Sequence, residues 1–513
     1  MLAKVESACL MGMDAAKVHV EVSLARGLPC FSMVGLPDAA VREAKDRVVA
    51  AIRNTGFEFP SRRVTVNLAP AEIKKEGSAF DLAIALGILL ASEALKPPLW
   101  PRCVWLGELA LDGALRPIRG ALPIVHSLAS KGWASFVIPE ANVPEVSFLD
   151  VGALHSFSSL RDVVAWINSG MPVSEQRPPA PWRPADKPGW VDLAEVKGQT
   201  VAKRALEVAA AGNHNLLFVG CPGTGKSMLA HALPGIMPPW TLEETLDASR
   251  VHSIAGETLH QGLLSSRPFR SPHHSVSSAA LVGGGDVPSP GEISLAHRGV
   301  LFLDELPEFR RDALEALRQP MEEGVIHIQR SRGRASFPAD FQLIAAMNPC
   351  PCGNLGHPKK ECGCSNQRIQ KYSAKVSAPL LDRIDLHVTL PALQVDELLE
   401  AGPNTETSDI VRRRVAQARE IQRRRYQDEN HRDTSNARLS RAQLKRFCHL
   451  EPDARDLLKQ AIDKLGLSAR AFDRIRKVSR TIADLEKSET IQARHVAEAV
   501  HYRALDREPR WGF

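Results

Sequence analysis

The stretch NLLFVGCPGTGKS, residues 215–227, decides the fold of this chain. Its first six residues are typical of a buried strand. Its last eight match the pattern G-x-x-x-x-G-K-[S/T], in which backbone N–H groups of a glycine-rich loop surround phosphate oxygens. MLAHALPG, directly after the loop, is typical of a helix whose N-terminal dipole favours phosphate. Strands and helices alternate from about residue 191 to 390, which predicts an α/β domain with a parallel sheet.

The phosphate-binding loop supplies the predicted ligands of ATP. Lys226 is predicted to bridge the β- and γ-phosphates, and the Ser227 hydroxyl is predicted to hold Mg²⁺. The other residues of the loop are predicted to surround the nucleotide phosphates: Gly220, Cys221, Pro222, Gly223, Thr224 and Gly225.

Two more strand-like runs end in polar side chains. GVLFLDEL, residues 299–306, presents Asp304, which suits the Mg²⁺ shell, and Glu305, which suits a general base that polarises the attacking water. LIAAMNP, residues 343–349, presents Asn348, which is placed to orient that water. The three motifs together predict an ATP-hydrolysing site.

These motifs, in this order, resemble those of the AAA+ ATPases. VKGQ at 196–199 is similar to the family's segment around the adenine, which implies that Gln199 contacts the nucleotide. LLDRIDL resembles the stretch with the arginine finger, which implies that Arg383 acts on ATP in a neighbouring subunit. LSAR resembles the second sensor, which implies that Arg470 contacts the γ-phosphate, with Arg474 as a nearby alternative. A finger acting in trans implies a homo-oligomeric ring, usually a hexamer in this family.

The segment between the two phosphate-site motifs resembles the AAA+ branch that contains magnesium chelatases and MCM helicases. In that branch an insertion interrupts the second helix, a hairpin precedes the first sensor, and both face the ring's pore. RPFRSPHHSVSSAALVGGG, residues 267–285, matches the insertion, and IHIQRSRGRASF, residues 326–337, sits where the hairpin belongs. Alternate positions of an extended chain point the same way, so we expect a short ribbon with its arginines on one side and Gly333 in its turn.

A closer resemblance is to the magnesium-chelatase-like family that includes the competence protein ComM. RPFRSPHHSVS, MNPCPCGN and SARAFDRIRKVSRTIADL carry it, and it covers essentially all 513 residues. It implies a DNA helicase that drives branch migration during recombination of incoming DNA in natural transformation. Single-stranded and branched DNA are the expected partners, and recombination proteins are candidate partners. The residues expected to contact DNA are Arg270, His273, His274, Arg330, Arg332 and Arg334. The alternative for the arginine triplet is a solvated loop.

The chain divides into four predicted parts. Residues 1–170 form an N-terminal α+β domain, and residues 171–190, with six prolines, form a linker. The ATPase core with its inserts follows at 191–392, and a helical lid at 393–513 completes the chain.

The N-terminal domain resembles the Lon protease domain through KKEGSAFDLAIALGIL, residues 74–89. The Lon-like serine position falls on Ala79, and the lysine position falls near Pro123. Ser78, one residue away, is a second candidate for the nucleophile. Because a serine without a base is a poor nucleophile, we expect no proteolysis and predict a structural or DNA-guiding domain.

Cysteines cluster in CPCGNLGHPKKECGC, residues 350–364. Four thiolates suit tetrahedral Zn²⁺, although the C-x-C spacing is one residue shorter than usual. His357 is a candidate substitute ligand, and reduced thiols in a loop are the alternative. The predicted ligands of a structural zinc are Cys350, Cys352, Cys362 and Cys364.

The net charge of +6 is concentrated in residues 409–446, which hold eleven Arg and one Lys against five acidic residues. Such a block indicates a polyanion nearby, or a solvated helix with ordinary ion pairs. Its single aromatic residue, Tyr426, makes base stacking unexpected, so phosphate contacts should dominate. No run reaches the roughly 18–20 apolar residues of a membrane span. We therefore expect a cytoplasmic protein.

Two alternative functions share these motifs. A metal-insertion motor subunit like that of magnesium chelatase shares the ATPase core, but has no obvious use for the N-terminal domain or the basic block. An ATP-dependent protease is disfavoured by the missing Ser–Lys dyad.

Overall fold

A computed structural model of the protein describes residues 1–75, 77–95, 102–169, 182–183, 189–257, 262–285, 288–330, 333–392, 406–427 and 435–503. Most of the predicted proline-rich linker therefore lies outside the described residues. No helix in these ranges is long and apolar enough to span a bilayer.

The N-terminal part contains two main sheets. The first has the order β1-β2-β4-β3, with β3 parallel to β4 and the other pairs antiparallel; the second is parallel with the order β5-β8-β9. β6 and β7 form a small hairpin. The strands are β1 (Leu2–Met11), β2 (Asp14–Ala25), β3 (Cys30–Val34), β4 (Arg63–Ala69), β5 (Cys103–Trp105), β6 (Glu108–Leu109), β7 (Leu115–Arg116), β8 (Ser135–Pro139) and β9 (Ala153–Phe157).

Helices cover these sheets, and side-chain periodicity explains how. In β2, the fully buried Val18, Val20 and Val22 alternate with more exposed residues, as one core-facing side of a strand requires. By contrast, α2 is apolar and buried almost all round, which fits a helix enclosed by other elements. The helices of this part are α1 (Ala39–Asn54), α2 (Asp81–Ala91), α3 (Ala121–Ser130), α4 (Val143–Val146) and α5 (Leu160–Ser169). The mixture of helices and strands expected for this part is confirmed.

The central part is built on a five-stranded parallel sheet with the order β11-β14-β17-β10-β18. Its strands are β10 (Leu216–Gly220), β11 (Phe269–Arg270), β14 (Val300–Leu303), β17 (Gln342–Met347) and β18 (Leu386–Leu390). The first of these in the chain, β10, lies between the last two. Such a reversal of strand order opens a crevice at the carboxyl ends of the strands, where ligands bind. The predicted parallel sheet is confirmed.

Helices connect and flank this sheet. They are α6 (Thr200–Gly212), α7 (Lys226–Ile236), α8 (Leu242–Ala255), α9 (Ser278–Val282), α10 (Glu292–Leu295), α11 (Arg311–Ala316), α12 (Arg318–Glu323), α13 (Asn366–Ser373) and α14 (Ala378–Leu381). Short 3₁₀ turns occur at Leu193–Glu195 and Leu306–Glu308.

Two inserts leave the central sheet and pack on each other. The first comprises α9 and the short pair β12 (Gly283–Gly284) and β13 (Ser289–Pro290); the second is the antiparallel hairpin of β15 (Val325–Arg330) and β16 (Gly333–Pro338). A Cβ atom at Gly283 would lie 2.8 Å from Cδ1 of Ile328, so the Gly283 backbone packs directly against the Ile328 side chain. The inserts therefore form one unit, held by an apolar cluster that includes Leu281, Ile326, Ile328 and Phe337.

The N-terminal part touches this unit through the turn between β1 and β2. A methyl group at Gly12 would lie 3.6 Å from Cβ of Ala335 and from the backbone N and O of Ser336. Next to it, Met13 packs on the apolar cluster of the hairpin, and its carbonyl accepts a hydrogen bond from Arg250 at 2.9 Å. The rungs of the hairpin that contain Ala335 and Ser336 thus lie beside the N-terminal part.

The described C-terminal residues are mainly helical, as predicted. The helices are α15 (Ser408–Tyr426), α16 (Arg441–Phe447), α17 (Pro452–Leu465), α18 (Ala469–Leu485) and α19 (Ala493–His501), with a 3₁₀ turn at Asn436–Arg438. Their apolar faces share one core with the central sheet; α15, for example, contributes Val411, Val415 and Ala418.

A buried ionic cluster joins the lid helices. The Asp484 carboxylate accepts hydrogen bonds from Arg425 at 3.0 and 2.5 Å, from Nε of Arg480 at 3.1 Å and from Asn436 at 2.8 Å. Asp484 is 1% exposed and Arg480 is fully buried. Since a buried charge is tolerated only when it is paired, this carboxylate serves as the shared counter-ion of two guanidinium groups that would otherwise be costly to bury.

Replacing Asp484 with alanine is expected to destabilise the lid by about 3–5 kcal/mol, because the buried guanidinium of Arg480 and the partly buried one of Arg425 lose their shared counter-ion. Glu420→Ala is the matched control, since Glu420 pairs with Arg423 and Arg424 at the surface. Exposed pairs contribute only about 0–1 kcal/mol. Urea unfolding followed by circular dichroism compares the two, and equal midpoints would contradict the role of the cluster.

Candidate ATP site, cysteine cluster and inserts

The phosphate loop lies at the carboxyl end of β10, where the strand order reverses. Gly223 and Gly225 have φ of +81° and +87°, a region that favours glycine, and this curls the loop before α7 begins at Lys226. Gly220 is needed for another reason, since a Cβ there would lie 2.9 Å from the carbonyl oxygen of Leu390. The loop therefore has the shape that its glycines predict.

Lys226 is buried beneath this loop. Its ammonium group donates to the carbonyl oxygens of Gly220 at 2.7 Å and Cys221 at 2.9 Å, and to Oδ1 of Asn348 at 3.2 Å. Burial lowers the pKa of Lys226, while the nearby Asp304 carboxylate raises it. The structure thus brings together the lysine and the asparagine that the sequence assigned to one site.

The residues predicted to hold Mg²⁺ are also adjacent. The Ser227 hydroxyl donates to Oδ2 of Asp304 at 2.9 Å, and both side chains are accessible to solvent. A hydroxyl and a carboxylate at a phosphate site are oxygen ligands of the kind that Mg²⁺ takes beside nucleotide phosphates. These residues fit the ion.

Glu305 follows directly, with its backbone in the left-handed region at φ 52°. Its amide N–H donates to Oδ1 of Asp304 at 2.8 Å, which holds the two acidic residues in a fixed relation. Its side chain is 54% exposed, and Oε2 lies 3.1 Å from Nδ1 of His274. This contact was not predicted from the sequence, where His274 was expected to contact DNA.

Gln199 lies against the phosphate loop. Its side-chain amide donates to the carbonyl oxygens of Thr224 at 3.2 Å and Pro391 at 2.9 Å. Its predicted place at the nucleotide site agrees with this geometry, although the amide is engaged with backbone.

The predicted arginine finger is buried in its own protomer. Arg383 is 6% exposed, donates to the carbonyl oxygen of Pro379 at 2.6 Å and pairs with Glu322 at 2.5 Å. Burial lowers the pKa of Arg383. The trans role of Arg383 stays a prediction, and it requires this pair to open.

The two sensor arginines differ in their surroundings. Arg474 is bound to the Asp385 carboxylate and also donates to the carbonyl oxygen of Arg383 at 3.1 Å. Arg470 is exposed in the first turn of α18. Since Arg474 has a structural partner, the geometry favours Arg470 as the residue available to a γ-phosphate, and its role stays a prediction.

The cysteine cluster is compact. The Sγ atom of Cys350 lies 3.4 Å from that of Cys352 and 3.6 Å from that of Cys362, and Cys352 lies 3.6 Å from Cys362. Together with Cys364, all four sulfur atoms lie within 4.8 Å of one another. These distances exclude disulfides, since the S–S bond is about 2.05 Å. A zinc ion with Zn–S bonds of about 2.3 Å separates its sulfur ligands by about 3.8 Å.

The donor set therefore fits tetrahedral zinc with four thiolates. The suggested substitute ligand is engaged elsewhere: Nδ1 of His357 accepts hydrogen bonds from the backbone N–H groups of Lys359 at 3.0 Å and Lys360 at 3.1 Å. The fully cysteine set is thus the one that the geometry favours.

The hairpin differs from the predicted ribbon. Arg330 ends β15 and pairs with Gly333, whereas Arg334 lies in β16 and pairs with Gln329. Gly333 therefore belongs to a strand, so the prediction that it lies in the turn is wrong, whereas the expectation of a ribbon with its arginines on one side stays a prediction. Arg334 is exposed. Arg332 and the side chain of Arg330 lie outside the described residues.

The basic residues of the first insert are engaged within the protein. Arg270 forms two hydrogen bonds to Glu292, at 2.7 and 2.9 Å, and lies 3.4 Å from Glu257. Hydrogen bonding to Glu292 raises the pKa of Arg270. His273 stacks on His274 with ring centroids 4.0 Å apart. The Arg270 guanidinium is already paired with carboxylates within the protein, and its contact with DNA stays a prediction.

Many arginines of the basic block, residues 409–446, likewise form ion pairs within the protein. Arg414 binds Glu207 and Glu406, and Arg425 binds Asp484. Further pairs within the block or to the core involve Arg412, Arg423, Arg424, Arg438 and Arg441. Of the two explanations for this block, ordinary ion pairs on a helix are the one that the geometry favours.

In the N-terminal part, Ser78 lacks a lysine partner. Its hydroxyl donates to the carboxylate of Glu108, and the nearby Lys75 is fully buried with its ammonium on the carbonyl of Pro70. Among the described residues Ser78 is thus paired with a carboxylate and not with an amine, and the absence of proteolysis stays an expectation. The resemblance to the Lon fold stays a prediction.

Three family models match the chain. "Magnesium chelatase, subunit ChlI" matches residues 192–398, "Subunit ChlI of Mg-chelatase" matches residues 20–142, and "Magnesium chelatase, subunit ChlI C-terminal" matches residues 405–503.

Other proteins are similar to the whole chain or to part of it. The competence protein ComM of Haemophilus influenzae is 44% identical over 508 residues, covering 99% of this chain and 98% of its own. YifB of Salmonella typhimurium is 43% identical, with the same two shares. The magnesium-chelatase 67 kDa subunit of Chlorobaculum parvum is 27% identical over 163 residues, or 31% of this chain and 23% of its own.

Proposed function

Because the chain belongs to the family of the competence protein ComM and YifB, we propose that it is an ATP-hydrolysing DNA motor. It assembles as a homo-hexameric ring and drives branch migration while incoming DNA recombines in natural transformation. The observation that carries this proposal is the association of Lys226, Ser227, Asp304 and Asn348 at the edge of a sheet whose second insert carries the exposed Arg334.

The hydrolytic roles follow from these contacts. Lys226 leaves the backbone carbonyls to meet the β- and γ-phosphates, and Ser227 and Asp304 hold Mg²⁺, which neutralises charge on the phosphate oxygens. Glu305 polarises the attacking water, and Asn348 orients it. The exposure of the Glu305 carboxylate suits this role, because it leaves the group accessible to water.

Ring assembly completes the site. Arg383 acts on ATP of the neighbouring subunit once its pair with Glu322 opens, and Arg470 contacts the γ-phosphate from the lid. An arginine close to the developing phosphate charge accelerates hydrolysis by about 10³- to 10⁵-fold. Assembly and hydrolysis are therefore expected to rise together with protein concentration.

DNA is bound mainly through its phosphates by the arginines of the hairpin tip. Such binding is tolerant of sequence and weakens as salt rises, because it releases condensed counter-ions. Four cysteine thiolates hold a structural Zn²⁺ beside the ATP site.

The second candidate is a motor subunit for metal insertion. The descriptions of the three matching family models favour it. Against it stands the coverage: the magnesium-chelatase subunit matches 31% of the chain, whereas ComM matches 99%.

Hydrolysis with and without DNA separates the two candidates. We expect single-stranded and branched DNA to stimulate ATP hydrolysis by the purified chain, and a labelled three-way junction to resolve only with ATP. The control is the same reaction with Lys226→Ala, which removes the phosphate-binding ammonium. Hydrolysis that ignores DNA would contradict the motor and direct attention to metal insertion.

A further inference from the structure

The cysteine loop, residues 350–364, forms one wall of the phosphate loop. It begins two residues after Asn348, the side chain that accepts a hydrogen bond from Lys226. Gly353 has φ +79°, and a Cβ there would lie 2.7 Å from Cδ and 2.8 Å from Cγ of Pro222. The backbone of the cysteine loop is thus in direct contact with Pro222 of the phosphate loop.

A relay of hydrogen bonds makes a second connection. The backbone N–H of Leu355 donates to Sγ of Cys350 at 3.4 Å, and the carbonyl oxygen of Leu355 accepts from Sγ of Cys221 at 3.7 Å. Both sulfur atoms belong to buried cysteines. One residue therefore links a member of the cysteine cluster to the phosphate loop.

The loop has little else to fix its shape. Residues 351–364 contain no helix or strand, and most of their side chains are exposed. Its two ends come together at the four cysteine sulfur atoms. A short loop without an apolar core is ordered by a cross-link or a metal ion, and here no disulfide is present among the described cysteines.

We propose that Zn²⁺ bound by the four cysteines is a positioning device for the phosphate loop. The ion holds Gly353 and Leu355 in place, and these hold Pro222 and Cys221, so metal occupancy sets the affinity for ATP. This inference rests on the proposed function only in taking the phosphate loop to bind ATP; it does not depend on DNA.

The experiment measures zinc content and nucleotide affinity of the full-length chain separately. Zinc is quantified by mass spectrometry, and affinity is titrated with a fluorescent, non-hydrolysable ATP analogue and Mg²⁺, without DNA. Cys362→Ser, which alters a ligand distant in sequence from the phosphate loop, is expected to lose zinc and to bind the analogue about 10- to 100-fold more weakly. Cys30→Ser, at an exposed cysteine outside the cluster, is the control and should match the unaltered chain.

A second pair of variants separates positioning from folding. Gly353→Ala is expected to keep its zinc but bind the analogue about tenfold more weakly, because the methyl group displaces Pro222. Gly363→Ala is its control, since a Cβ there meets nothing within 4 Å. Gly353→Ala thus keeps the inference testable even if Cys362→Ser does not fold.

Three results would overturn the inference: an unaltered chain that binds the analogue without containing zinc, a zinc-free Cys362→Ser that binds as tightly as Cys30→Ser, or equal affinities for Gly353→Ala and Gly363→Ala. A chain that binds and hydrolyses ATP but ignores DNA would contradict the motor proposal and leave the zinc effect standing.

Discussion

Replacing Glu305 with glutamine is expected to lower the rate of ATP hydrolysis by a factor of about 10² to 10⁴, the usual contribution of a general base. Binding of ATP should stay unchanged, because Lys226, Ser227 and Asp304 keep their contacts. Glutamine preserves the size of the side chain and a hydrogen bond to His274, but it cannot accept a proton from water.

The matched control is Glu308→Gln. Glu308 lies three residues further along the same turn, is similarly exposed and pairs with Lys375 at the surface. Its replacement should leave hydrolysis close to that of the unaltered chain. Single-turnover hydrolysis, together with titration of a fluorescent ATP analogue, separates chemistry from binding. A Glu305→Gln variant that hydrolyses ATP like Glu308→Gln would remove Glu305 from the reaction.

The second large effect is expected from the hairpin. Replacing Arg330, Arg332 and Arg334 together with alanine should abolish unwinding of a three-way junction while sparing hydrolysis without DNA. The reason is that Arg330 and Arg334 lie in the last two rungs of β15 and β16 and Arg332 follows β15 in the sequence, whereas the hairpin is anchored by buried Ile326, Ile328 and Phe337. Removing charge at the tip leaves that anchor intact.

The control is the double variant Arg423→Ala with Arg424→Ala. Both arginines belong to the basic block, and both pair with Glu420 on the surface of α15. They should leave unwinding intact, because their charge is already compensated within the helix. Strand displacement and basal hydrolysis are measured for both sets. Intact unwinding after loss of the three hairpin arginines would refute their contact with DNA, and loss of unwinding in the control would restore the basic block as a DNA site.

The site residues that were predicted well from the sequence are those whose positions follow from the loop or the strand end on which they lie. A glycine-rich loop between β10 and α7, and polar residues at the ends of β14 and β17, come together because parallel strands end at one edge of the sheet. Lys226, Asp304 and Asn348 are thus neighbours as a result of topology. The alternation that predicts strands and helices is equally local.

Ion-pair partners were not predictable in the same way. The contacts of Arg270 with Glu292, of Arg383 with Glu322 and of His274 with Glu305 depend on how separate elements pack. No periodicity or spacing specifies such partners, because charged side chains are long and reach any carboxylate that the fold brings near. The same reason explains why a basic block in the sequence became an ion-paired surface.

The contact between the hairpin and the N-terminal part bears on how the hairpin of the proposed motor moves. Because a methyl group at Gly12 would be in ordinary van der Waals contact with Ala335 and Ser336, and Ser336 pairs with His327, the rungs below that level lie beside the N-terminal part. The arm of the hairpin beyond this level is the part of β15 from His327 to Arg330. At about 3.3 Å per residue in a strand, this arm is roughly 10 Å long. Nucleotides in one DNA strand are spaced about 3.4 Å apart, so the arm is about three nucleotides in length. In the proposed motor, we expect a movement of the hairpin tip longer than this arm to involve rotation of the N-terminal part as well.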